Sequence, residues 1–149
     1  MFGCRTAVAL RAGTTLRGRG DWVRHYCLSA GLAVVEISFV SDAGGLIKEE
    51  LDALTHGSGF SFGDLAADRA GVRLSEAATA SESAAQSMQT RLQSGYSADD
   101  FFPIASDLPE NLTLEQFRQD YGGVGTQRYR QTINEIETRL NGCAALALP

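Results

Sequence analysis

Six charged side chains that could exchange protons or bind a cation lie within a short stretch of this sequence. They are Lys48, Glu49, Glu50, Asp52, Asp64 and Asp68. One of the two histidines, His25, lies upstream, four residues after Asp21 and four residues before Ser29. Carboxylates that lie close together shift each other's pKa, and with an imidazole they can act as general acid and base. An oxygen-rich ligand set would favour magnesium, calcium or manganese over zinc.

We predict a candidate site in which one cleft collects an imidazole and four carboxylates: His25, Glu49, Asp52, Asp64 and Asp68. Three further polar residues would support it. Asp21 would orient the imidazole, Ser29 would lie on the same helix face as His25, and Lys48 would pair with Asp52 or Asp64.

Three interpretations of these residues stay open: a structural network, a divalent-metal site and an acid–base catalytic site. The structural interpretation is favoured because the sequence contains no nucleophile elbow, HExxH, phosphate loop or CxxC motif. Such a network fixes how helices dock, since each buried polar group requires a partner.

Three predicted helices would position these residues, over 22–38, 42–55 and 62–82. Asp21 is the expected N-cap of the first and Ser61 that of the third. Helical spacing places His25 and Ser29 on one stripe of the first helix. Asp64, Asp68 and Gly71 fall on one stripe of the third helix, where Gly71 would let another helix approach closely. Short connections favour antiparallel neighbours.

The rest of the chain is also predicted to be helical. The third helix should continue over 77–94 and stop at Gly95, with Arg69, Arg73 and Glu76 on a solvated face. A loop should follow, held onto the core by Phe101, Phe102 and Ile104. Thr113 should cap a short helix, and a last helix should cover 126–141. The predicted fold is all-α, a compact bundle of about five to six helices with no significant sheet. We expect one domain over 1–149, with a three-helix core at 21–82 and a C-terminal extension at 83–149.

Composition limits the classes of function. The net charge of −5 over 149 residues argues against non-specific nucleic-acid binding. No apolar run is long enough for a transmembrane segment. The N-terminal apolar stretch is too short for an intact signal peptide, so a cytoplasmic location stays open.

Cys27 is expected to be a core thiol, and a disulfide between Cys4 and Cys143 is an open alternative. The oligomeric state is not determined by the sequence.

Residues 21–72 resemble a known family in the order and spacing of their polar positions. The matching motifs are Asp21-x-x-x-His25-Tyr26-x-x-Ser29-Ala30, Lys48-Glu49-x-x-Asp52 and Gly57-Ser58-Gly59-Phe60-Ser61-Phe62-x-Asp64-Leu65-Ala66-x-Asp68. The stretch is similar to the small YfiM-type bacterial lipoproteins and, more distantly, to VanZ-like proteins. This resemblance implies a helical fold and an envelope or secreted location rather than a particular reaction. The expected role is binding or structural, with a protein or a cell-wall component as partner. The alternative is a small hydrolase, with or without a divalent metal, that uses the cluster.

Overall fold

The computed structural model describes residues 13–35 and 59–147, and the regular structure in these ranges is helical. The helices are α1 (Gly20–Val35), α2 (Phe62–Thr79), α3 (Glu82–Ser94), α4 (Ala98–Phe101), α5 (Leu114–Tyr121) and α6 (Gln127–Asn141). Within the described ranges, β-type pairing is limited to two isolated bridges, Leu16 with Arg19 and Phe60 with Leu112. The predicted all-α class is therefore confirmed. None of the helices in these ranges has the length and apolar character needed to cross a membrane.

The contact between α1 and α2 forms the framework of the candidate site. His25 near the start of α1 contacts Asp64 and Asp68, whereas Tyr26 and Ala30 lie against Gly71 further along α2. Because the contact positions advance together along both helices, α1 and α2 run in the same direction. The predicted helix 42–55 lies outside the described residues.

The chain does not form one continuous helix from α2 into α3. The predicted helix over 62–82 and its predicted continuation over 77–94 are therefore wrong around residues 80 and 81, where the helix is interrupted. α2 ends at Thr79, and Ser81 adopts an extended conformation with φ of −162°. The hydroxyl of Ser81 accepts a hydrogen bond from the backbone N–H of Ala84 at 3.1 Å. Ser81 thus acts as an N-cap and begins a new helix, which is a common role for serine.

Two other N-caps, Ser61 and Thr113, agree with the sequence prediction, and Thr126, predicted as the first residue of the last helix, is its N-cap. Ser61 accepts a hydrogen bond from the N–H of Asp64 at the start of α2. Thr113 and Gln116 form a complete capping box at the start of α5. The last helix begins one residue after Thr126, whose hydroxyl accepts from the N–H of Tyr129.

An aromatic cluster joins the start of α2 to α5 and α6. The ring of Phe62 is fully buried and contacts the rings of Phe117, Tyr121 and Tyr129. Phe60 packs against Phe62 with ring centroids 4.7 Å apart, and its backbone pairs with that of Leu112. The described residues before and after position 82 therefore contribute to the same apolar core.

Two predictions of buried apolar positions are wrong. Cys27 is exposed, because α2 packs against a different side of α1, the one that carries Trp22 and Ser29. Ile104 is 62% exposed, and its loop is held onto the core by fully buried Phe102 instead. Of the two cysteines in the possible Cys4–Cys143 disulfide, the structure describes Cys143. It is a buried free thiol, and burial raises its pKa.

The face of α2 that was predicted to be solvated carries an interhelical ion-pair network. Arg69 and Arg73 both form ion pairs with Glu137 of α6, and Arg73 also donates to the side-chain oxygen of Asn141 at 2.6 Å. The side chain of Glu137 is only 27% exposed. The prediction of a solvated face is wrong for both arginines, since α6 covers them.

We expect Glu137→Ala and Arg73→Ala to be coupled energetically. A double-mutant cycle should give a coupling free energy of about 1 kcal/mol, because the two side chains are partly shielded from water. Urea denaturation of the wild type, both single variants and the double variant measures it. Additive effects of the two substitutions would contradict an energetic role for this ion pair.

Candidate functional site

Facing stripes on α1 and α2 bring four of the predicted site residues together. His25 and Ser29 are four residues apart on α1, and Asp64 and Asp68 are four residues apart on α2. Side chains at this spacing lie on one face of a helix. The close approach of the two backbones at Gly71 keeps these short polar side chains within reach of each other.

Asp68 is the centre of this polar cluster. It is buried, with 6% of its surface exposed, and the hydroxyl of Ser29 donates to its Oδ1 at 2.6 Å. Nδ1 of His25 lies 3.2 Å from Oδ2 and 3.3 Å from Oδ1 of the same carboxylate. A proton on Nδ1 would therefore be donated to Asp68. Ser29 is itself buried, at 5% exposed.

The cluster is more open on the side of His25 and Asp64. Nε2 of His25 lies 3.7 Å from Oδ2 of Asp64, a distance that gives an ion pair when the imidazole is protonated. The side chain of His25 is 41% exposed and that of Asp64 is 29% exposed. Solvent therefore reaches one edge of the cluster, whereas Asp68 and Ser29 lie in the helix interface.

The arrangement differs from that of a serine hydrolase. In a Ser–His–Asp triad the serine hydroxyl is bonded to the histidine, which removes its proton. Here the hydroxyl of Ser29 donates directly to Asp68, on the buried side of the cluster. The geometry therefore does not activate Ser29 as a nucleophile.

The charge state of Asp64 is set by its surroundings. Partial burial raises the pKa of its carboxyl group, and His25 opposes the increase. The carboxylates of Asp21, Glu110 and Asp68 raise the pKa further. Oδ1 of Asp64 is buried and accepts no hydrogen bond from the described residues.

Two residues beside the cluster were not predicted from the sequence. Arg19 donates to both oxygens of Asp21, at 3.0 and 2.5 Å, and to Oε2 of Glu110 at 2.9 Å. The hydrogen bonds from Arg19 lower the pKa of Asp21 to about 2. Asp21 lies in the first turn of α1, which begins at Gly20, so its predicted role as N-cap is wrong. Its carboxylate accepts hydrogen bonds from Arg19 through both oxygens.

Glu110 and Trp22 meet next to Gly63 in a closed part of the site. A β-carbon at Gly63 would contact Oε1 of Glu110 and would lie 3.1 Å from Nε1 of Trp22. Both of these atoms are buried, and neither has a hydrogen-bond partner among the described residues. Gly63 therefore provides the space in which an indole and a carboxylate lie against the first turn of α2.

No family model, curated protein or solved structure matches this chain.

The remaining predicted site residues, Lys48, Glu49 and Asp52, lie outside the described residues. In the part of the chain that is described, no three His, Cys, Asp or Glu side chains are placed to hold a metal ion together. The described geometry thus comprises an imidazole between two carboxylates, with a buried serine hydroxyl as the fourth member.

We expect Asp64→Asn to gain stability relative to the wild type as the pH rises from 4 to 7. The folded-state pKa of Asp64 is raised, so as the pH increases the carboxyl group of Asp64 loses its proton in the unfolded chain before it does so in the folded one. The free energy of unfolding of the wild type therefore falls as the pH passes the unfolded-state pKa and then the folded-state pKa of Asp64. Below the unfolded value of about 4 both states are protonated and the effect disappears. Urea denaturation at pH 4, 5.5 and 7 measures it. A variant that instead loses stability, relative to the wild type, as the pH rises would show that attraction to His25 dominates over burial.

Proposed function

We propose that this is a non-enzymatic protein with a binding or structural role, in which the polar cluster holds α1 on α2. The observation that carries the proposal is the bonding of Asp68. Its buried carboxylate is engaged by both Ser29 and His25 of the neighbouring helix. Buried polar groups that are fully hydrogen-bonded specify how two elements dock. The hydroxyl of Ser29, which donates to Asp68, has the same structural role.

We further propose a location in the bacterial envelope or outside the cell, with another protein or a cell-wall component as partner. The support for this setting is the resemblance of residues 21–72 to the YfiM-type lipoproteins. Fractionation of cells that produce the protein from its native gene tests it. Recovery with the periplasmic, membrane or secreted fraction is expected, and recovery only with cytoplasmic marker proteins would overturn the location without affecting the structural role of the cluster.

A hydrolase is the second candidate, and one observation favours it. Asp64 has a raised pKa and lies beside the partly exposed ring of His25. In such a pair, His25, oriented by Asp68, would take a proton from water, and protonated Asp64 would donate one to the leaving group. The nucleophile would then be water, since the hydroxyl of Ser29 is buried and bonded to Asp68.

The two candidates can be separated with a panel of chromogenic ester, amide and glycoside substrates. We expect no turnover above that of a heat-denatured sample. Turnover that is lost in both His25→Ala and Asp64→Asn, while circular dichroism shows that both variants are folded, would establish the hydrolase. The proposal of a structural cluster would then have to be abandoned as the main role of these residues.

We expect calorimetric titration with magnesium, calcium or manganese at pH 7 to give no saturable heat. The described side chains of the cluster bind each other, and a cation at Asp68 would compete with Ser29 and His25, which already contact its two carboxylate oxygens. The matched control is the same titration of Asp68→Asn, which lacks the central charge. Saturable binding by the wild type that disappears in Asp68→Asn would show that the cluster is a metal site.

A further inference from the structure

We draw no further inference here: the strongest candidate, the apolar surface patch on α1 formed by exposed Leu28 and Leu32, carries no proposal because nothing among the described residues shows what covers it.

Discussion

Replacement of Asp68 with alanine should lower the free energy of unfolding by about 3 kcal/mol at pH 7. Asp68 is 6% exposed and accepts a 2.6 Å hydrogen bond from Ser29, whose hydroxyl is also buried. Alanine would leave that hydroxyl without its acceptor inside the helix interface. It would also remove the carboxylate that lies 3.2 Å from the ring of His25. Urea denaturation measures the change, provided that the m-value stays the same.

Glu76→Ala is the matched control because Glu76 is an acidic residue on the same helix. It is exposed and forms no ion pair with any described residue. We expect this substitution to change the free energy of unfolding by no more than about 0.5 kcal/mol. If Asp68→Ala and Glu76→Ala had similar small effects, the polar cluster would not be what holds α1 on α2.

Asp68→Asn separates the hydrogen bond from the charge. Asparagine keeps a side-chain oxygen that can accept from Ser29, but it has no negative charge to attract His25. We therefore expect Asp68→Asn to lower the free energy of unfolding by more than Glu76→Ala does and by less than Asp68→Ala does. A loss equal to that of alanine would mean that the charge, rather than the hydrogen bond from Ser29, provides most of the stabilisation.

The part of the site that the sequence predicted is the part that depends on local geometry. Positions four residues apart on a helix share a face whatever the rest of the chain does. For that reason the pairs His25 with Ser29 and Asp64 with Asp68 could be identified from spacing alone. The small residue Gly71 on the same stripe as Asp64 and Asp68 then indicated that another helix approaches there. The N-caps Ser61 and Thr113 were predictable for the same reason, since each involves residues only three positions apart.

The part that the sequence did not predict depends on contacts between distant segments. Glu110 reaches Arg19 from a loop that lies 91 residues away in the sequence. No periodic pattern marks a loop residue as a neighbour of α1. Helical periodicity also identified the charged face of α2 without showing what covers it. Glu137 of α6 binds the arginines of that face, so a charged face was mistaken for a solvated one.

The break between α2 and α3 shows a different limit. Alanine and serine around residue 80 have helix propensities that permit a continuous helix. Serine can also cap a new helix, and propensity alone does not decide between the two. The structure adopts the second alternative, with Ser81 bonded to the N–H of Ala84. The capping hydrogen bond of Ser81 therefore marks where α3 begins.

Gly71→Ala should be the most damaging single-methyl substitution among those proposed, with a loss of about 3 kcal/mol or more. A β-carbon at this position would overlap the carbonyl oxygen of Tyr26, and it would lie 3.0 Å from that carbonyl carbon and 3.1 Å from the backbone nitrogen of Ala30. Carbon atoms in favourable contact are about 3.5–4.0 Å apart. All three atoms belong to the backbone of α1, so no side chain can rotate away to make room. α1 would have to move away from α2, which would lengthen the hydrogen bond between Ser29 and Asp68.

Gly31→Ala provides the matched control, since Gly31 is also a glycine in a helix interior. A β-carbon at Gly31 would meet no other atom within 4 Å. Alanine has a higher helix propensity than glycine, so this variant should gain about 0.5–1 kcal/mol of stability. Urea denaturation of both variants compares the same chemical change with and without the steric overlap. Gly71→Ala could unfold completely. A folded Gly31→Ala would then still show that alanine is tolerated in α1 where it meets no other atom, so the defect at Gly71 comes from the steric overlap. Equal effects of the two substitutions would mean that α1 and α2 are not in contact at Gly71.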